Sequence, residues 1–252
     1  MHKTYSRSIS TLAWLALMFL PALPAYLWVW PNISGRAEDA FQVLVYVYFI
    51  VAGLLIGLRF WTPAELGFVY TWRSFLPAAA CGTFIVIGTA LGLAATNLPI
   101  FPQPFNPARM LWQIFFYFVL VGFGEELLFR GDLFAALDER WGGRWAIIGS
   151  TLAFGFYHLS GVGWPGVFSG LIFGLLFGFI RRRTGSLLAA IYTHGLLDAV
   201  VVEMRPSRDI DMAAITIDQP WLLAVGYILM IGAVLALWKL YPARVNPDAL
   251  SI

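Results

Sequence analysis

Residues 111–130 read LWQIFFYFVLVGFGEELLFR. An apolar stretch from Ile114 to Phe123 runs into two adjacent glutamates, and an arginine follows four residues after the second. Apolar residues continue on the far side as far as Leu137. At a helical rise of about 1.5 Å per residue, the whole run Leu111–Leu137 is too long for one straight crossing of a bilayer. Gly122, Gly124 and Gly131 interrupt it. The expected structure is a spanning helix that ends near Arg130 or Gly131. A short amphipathic helix from Asp132 to Arg140 would then lie at the membrane interface.

The rest of the chain has the same character. Of its 252 residues, 60% are hydrophobic and 12% are charged, whereas a soluble domain carries about 25% charged residues. Too few polar groups are present to cover a water-facing surface. Further apolar runs occupy Thr11–Trp30, Phe41–Leu58, Leu76–Ala95, Trp145–Ser160, Val167–Ile180, Leu187–Val202 and Trp221–Trp238. Most approach the roughly 20 residues a crossing needs. The first extends past any sensible cleavage point, and Ala22-Leu23-Pro24 is a poor small-x-small site, so it reads as an uncleaved span. The expected fold is all-α: residues 1–252 form one integral membrane domain, a polytopic bundle of about eight transmembrane helices. Gly170, Gly174 and Gly178, spaced by four, make a stripe that lets another helix approach closely, within the protomer or between two.

Cationic residues are unevenly distributed. With an inside N-terminus, one side of the membrane receives Lys3, Arg7, Arg59, Arg73, Arg140, Arg144, Arg181, Arg182, Arg183, Lys239 and Arg244. The other receives Arg36, Arg109, Arg205 and Arg208. This asymmetry places both termini in the cytoplasm, and the triplet Arg181–Arg183 reads as a topological anchor. Asp209, Asp211 and Asp218 belong to a solvated loop. Cys81 is the single cysteine, which rules out an internal disulfide, and a net charge of +2 gives no reason to expect a nucleic-acid partner. A compact chain without long loops suggests a prokaryotic source and the cell membrane as its location.

Ionisable side chains inside spans are costly, and they are functional candidates by default. Those inside the expected spans are Glu125, Glu126, Arg130, His158, His194 and Asp198. On a helix Glu126 and Arg130 stand at i and i+4 and can neutralise each other. Glu125 is turned about 100° away from that face, so it must find its partner on another helix and is available as a general base. Phe154 and His158 share a face, as do His194 and Asp198. Amide hydrolysis needs an activated water, a stabilised oxyanion and a proton for the leaving nitrogen. Glu125 can serve as base, with His158 holding the same water. His194, assisted by Asp198, can donate to the oxyanion. Ser150, Ser160 and Ser169 sit in no triad, and neither a GxSxG elbow nor an HExxH motif occurs.

In this order and spacing, Glu125-Glu126-x-x-x-Arg130, Phe154-x-x-x-His158 and His194-x-x-x-Asp198 resemble the motifs of a known family. It is the CAAX prenyl endopeptidase type II and bacteriocin-processing family, also called CPBP or Abi, of intramembrane glutamic proteases. The likeness covers the motif region, about residues 111–202. It implies an eight-helix fold enclosing an intramembrane cavity open to the cytosolic side and to lipid, with no cofactor. By motif position it implies Glu125 and His158 as the water-activating pair, and His194 with Asp198 as the oxyanion site. Glu126, Arg130 and Phe154 would support them. The substrate would be a membrane-anchored peptide or protein. Asp198 stands where the prenyl-protein proteases usually carry Asn, which leaves open whether it contacts the oxyanion or orients His194. Three other readings use the same residues: a zinc site built on Glu125, His158, His194 and Asp198, an ion or proton transporter, and a non-catalytic immunity or scaffold protein.

Overall fold

In the computed structural model, which describes residues 2–24, 28–29, 32–98, 106–204 and 215–241, the segment quoted above lies in the middle of one long helix. That helix, α5 (Pro107–Trp141), does not stop at Gly131. Asn106 caps its start by accepting from the amides of Ala108 and Arg109. It widens to π geometry over Phe115–Gly122 and again over Leu127–Leu133, and ends only at Gly142, whose φ of 82° breaks the helical path. The expected interfacial helix is therefore absent. Asp132 and Phe134 to Leu137 are buried, because the last turns of α5 are covered by α1 and α6.

The remaining helices are α1 (His2–Pro24), α2 (Arg36–Phe60), the single turn α3 (Pro63–Leu66), α4 (Trp72–Ala94), α6 (Gly143–Tyr157), α7 (Leu159–Thr184, broken at Gly163), α8 (Leu187–Met204) and α9 (Pro220–Leu240). Over its described residues, each apolar run read from the sequence lies wholly or mainly on one of them. Among the described residues, five helices are long and apolar enough to cross a membrane: Arg36–Phe60, Phe75–Ala94, Pro107–Trp141, Gly163–Thr184 and Pro220–Leu240. α6 and the described stretch Leu187–Val201 of α8 are shorter apolar helices. Among the described residues the only β pairing is an isolated bridge between Thr96 and Ile217. The chain is a helical membrane bundle.

Its surface is apolar where a soluble protein would be charged. Leu44, Leu55, Phe168, Ile172, Ile228, Ile231 and Leu235 all point outward, as lipid-facing positions do. Inside, Phe49, Leu128, Phe129, Phe154, Phe177, Ile180 and Leu237 form one continuous core. Lipid is as apolar as this core, so close van der Waals packing has to hold the helices together. Between α4 and α9 the backbones meet at Gly88 and Gly226: a Cβ on either would come within 2.5 Å of the other's carbonyl oxygen. Gly88→Leu is expected to force the pair apart and cost about 1–3 kcal/mol or more, visible as a lower melting temperature in detergent. Gly232→Leu, where a Cβ meets nothing within 4 Å, is the control and should leave it unchanged.

The Gly170/Gly174/Gly178 stripe packs inside the protomer. Gly170 lies against Gly155 and His158, Gly174 against Arg130, Phe154 and Thr151, and Gly178 against Ile147.

Charged groups gather at one end of the bundle. Arg7 pairs with Glu65 at 3.0 Å and Glu139 at 2.6 Å, and stacks over Trp61. Arg182 faces Asp138 at 3.6 Å, and Arg183 donates to the carbonyl of Tyr241. Arg181 has more than an anchoring role. Only 8% exposed, it donates to the carbonyls of Arg130, Gly185 and Glu65, tying α7 to α5 and to the α2–α4 connection. Arg205, Arg208, Asp209, Asp211 and Arg244 lie outside the described residues. Asp218 accepts from the Thr216 hydroxyl in an exposed turn, as a solvated position should.

Candidate active site

The site is assembled where α5, α6, α7 and α8 meet, with α2 against one flank. Close approach comes first. A Cβ on Gly122 would reach the α8 backbone at Ile191 and Gly195, 3.2 and 3.3 Å away, and one on Gly195 would strike Phe118 at 2.8 Å. The two glycines let α5 and α8 come near enough for a glutamate on one to reach a histidine on the other. Phe123–Glu126 is a single α turn between the two π stretches of α5. π segments are found frequently at functional sites, where they re-aim side chains.

Glu126 is fully buried and ties three elements together. Its Oε1 accepts from Arg130 at 2.8 Å and from Nδ1 of His194 at 2.9 Å. Arg130, also fully buried, donates a second bond to the carbonyl of Gly174 at 3.0 Å. Its guanidinium lies 4.2 Å from the Phe154 ring centroid and within 6 Å of Phe177 and Phe129. The expected Glu126–Arg130 pair is present. The bond from His194 was not visible in the sequence, because residues 126 and 194 lie on different helices.

The Nδ1 bond to Glu126 orients the His194 imidazole and leaves Nε2 for the site, the arrangement by which a second partner fixes a histidine's working nitrogen. Nε2 lies 3.4 Å from Asp198 Oδ2 and 3.8 Å from Glu125 Oε2. Phe177 stacks on the same ring at 4.8 Å with 21° between planes. Glu125 is 2% exposed. Its Oε1 accepts from the Tyr46 hydroxyl at 3.1 Å, while Oε2 has no hydrogen-bond partner among the described residues. Tyr46 on α2 is a second group the sequence did not reveal; its one signal was a polar ring tip in an apolar run, beside the similar Tyr48.

His158 caps the C-terminus of α6, and its Nδ1 is 2.8 Å from the Phe154 carbonyl. A carbonyl only accepts, so Nδ1 carries a hydrogen, and in the neutral ring Nε2 keeps its lone pair. The Phe154 ring touches both imidazoles, with centroid distances of 4.6 Å to His158 and 5.6 Å to His194. Glu125, His194 and Asp198 thus share one locus, and His158 joins them across Phe154. Ser150 and Ser169 donate to carbonyls within their own helices. The Ser160 side chain lies outside the described residues. No group of three or more His, Cys, Asp or Glu that could hold a metal ion is found among the described residues.

Residues 107–200 match the family model described as Type II CAAX prenyl endopeptidase Rce1-like. The segment is Rce1-like. No curated protein and no solved structure matches the chain. The Rce1-like segment opens on the first residue of α5 and closes within α8, so it carries all four candidate residues. Tyr46 lies outside it.

Two buried ionisable groups near the Rce1-like motif were missed by the sequence reading. One is Arg181, described above. The other is Asp132, which is fully buried with neither carboxyl oxygen hydrogen-bonded among the described residues and with Gly57 of α2 packed against it. A buried polar group without a partner costs stability. Asp132→Asn keeps the shape and is expected to hold or raise the melting temperature. A fall of several degrees would show that the carboxyl has a stabilising partner.

Proposed function

We propose that this protein is an intramembrane endopeptidase that hydrolyses a peptide bond of a membrane-associated peptide or protein with a water activated by Glu125. The supporting observation is that Oε2 of Glu125, free of any hydrogen bond among the described residues, faces Nε2 of His194 at 3.8 Å. A base and a hydrogen-bond donor for an oxyanion have to converge on one reacting carbonyl group.

In this reading a water bound between Glu125 Oε2 and the lone pair of His158 Nε2 attacks the carbonyl carbon, and Glu125 takes its proton. The oxyanion accepts a hydrogen bond from Nε2–H of His194. That donor requires a doubly protonated imidazole, because Nδ1–H is engaged with Glu126; the charge is balanced by Glu126 and Asp198. Asp198, at 3.4 Å from Nε2, therefore orients and balances His194, a role that needs no proton on the carboxylate. The C–N bond then breaks, and the proton held by Glu125 passes to the leaving nitrogen. The products are a carboxylic acid and an amine, which leave as carboxylate and ammonium after the proton passes from one to the other.

The experiment is cleavage of a panel of membrane-anchored peptides, prenylated and unprenylated, by the purified protein, with products read by mass spectrometry and a chelator present in half the reactions. Cleavage insensitive to chelator supports the glutamate reading, whereas chelator-sensitive cleavage restored by zinc replaces it with a metal site. If no peptide is cleaved and Glu125→Gln leaves the cellular phenotype intact, an immunity or scaffold role takes its place.

The charged end of the bundle is the cytoplasmic one in this proposal, following the positive-inside bias. Trp141 is exposed at that end, while the native thiol of Cys81 is buried and silent. A cysteine placed at Trp141 should react with an impermeant maleimide only after cells are opened; labelling of intact cells would reverse the orientation.

A further inference from the structure

The two oxygens of the Glu125 carboxylate have unequal surroundings. Oε1 accepts from Tyr46, and Oε2 accepts from no described group while facing His194. The donor is itself held in place. The Tyr46 ring meets Phe49 and Phe116 edge-on, at 6.2 Å and 84° and at 5.9 Å and 89°. Phe49 is fully buried. On α5, Gly124 lies beside Tyr46: a Cβ there would make ordinary contact with Ile50 and the Tyr46 carbonyl oxygen, at 3.4 and 3.6 Å. A glutamate with three rotatable bonds and one free oxygen would otherwise sample several orientations. Fixing a reacting group in one orientation is a large part of what an active site contributes.

We propose that Tyr46, from outside the Rce1-like segment, is a positioning residue for hydrolysis: its hydroxyl holds Oε1 of Glu125 and leaves Oε2 as the one oxygen that takes the proton from water. This rests on Glu125 being the base. It also gives α2 a part in the chemistry, so the four helices of the matched segment do not make a complete site by themselves.

The test is Tyr46→Phe, which keeps the ring and its packing on Phe49 and Phe116 and removes only the hydroxyl. Two readouts are taken beside wild type and Glu125→Gln. The first is the infrared spectrum, in which the Glu125 carboxyl band is the one that Glu125→Gln abolishes; it needs no substrate. The second is turnover of a farnesylated, CAAX-ended peptide carrying a quenched fluorophore. The expected result is a shifted Glu125 band, a kcat lower by roughly tenfold, the loss that one hydrogen bond to a charged group represents, an unchanged KM and an unchanged melting temperature. A band that stays in place overturns the proposal, as does an unchanged kcat or a rise in KM alone. Where wild type does not turn over this peptide, the infrared band decides. The two claims fail separately: full turnover by Glu125→Gln removes the base, while an inactive Glu125→Gln beside a fully active Tyr46→Phe removes only the role of Tyr46.

Discussion

Glu125→Gln is expected to abolish peptide cleavage and leave the protein folded. The amide keeps the length of the side chain and can still accept from Tyr46 through its oxygen, so the contact at 3.1 Å survives. It cannot take a proton from water. Loss of a general base costs about 10²–10⁴-fold in rate, enough to bring turnover to background. Stability should hold, because the substitution takes a charge out of a buried site, which offsets the unpaired amide group put in place of Oε2. The check is a pair of measurements on one preparation: turnover, and the melting temperature in detergent. Lost activity accompanied by a melting temperature several degrees lower would make Glu125 a structural residue.

Arg130→Met is expected to do the reverse, with folding lost first. Arg130 and Glu126 are both fully buried, and Glu126 Oε1 carries bonds from Arg130 and His194 together. Removing one partner of a buried ion pair leaves the other uncompensated and costs about 3–5 kcal/mol, a large share of the stability of an ordinary domain. The guanidinium also leaves its bond to Gly174 and its place among Phe154, Phe177 and Phe129. The single variant should accumulate poorly in membranes. The double variant Arg130→Met with Glu126→Gln removes the stranded charge and should recover much of the folded yield. It should still cleave slowly, because Nδ1 of His194 then faces a neutral amide in place of the carboxylate. Recovery of yield without recovery of turnover separates the two roles of Glu126; recovery of both would show that orientation of His194 is unimportant.

Much of this architecture was legible in the sequence, because apolar runs of membrane length and i, i+4 spacings are local features. All eight runs are mainly helical over their described residues, and the pairs Glu126–Arg130, Phe154–His158 and His194–Asp198 meet as helical geometry requires. The failures are of two kinds. One concerns where a helix ends. Gly131 looked like a stop, but it lies inside a π stretch with Leu127 beside it, and the chain turns only at Gly142, where φ is positive. A glycine terminates a helix when the following backbone departs from it, which spacing alone does not disclose. The other concerns contacts between helices. The bond from His194 to Glu126, the hydroxyl of Tyr46 on Glu125, the seat of Arg130 against Gly174 and the three carbonyls that hold Arg181 are all set by how helices pack. Arg181 was assigned to topology because three consecutive arginines at a helix end usually mark a membrane boundary; the structure turns the first of them inward and leaves the next two at the charged end.

The two adjacent glutamates provide the most direct test of the central claim, since they differ by one position in sequence and by their entire surroundings in the fold. Turnover of a membrane-anchored peptide, measured for Glu125→Gln and Glu126→Gln at matched folded concentration with chelator present, decides it. Turnover at background for a stably folded Glu125→Gln, with Glu126→Gln less stable but measurably active, is the predicted result. Full turnover by a folded Glu125→Gln would contradict it.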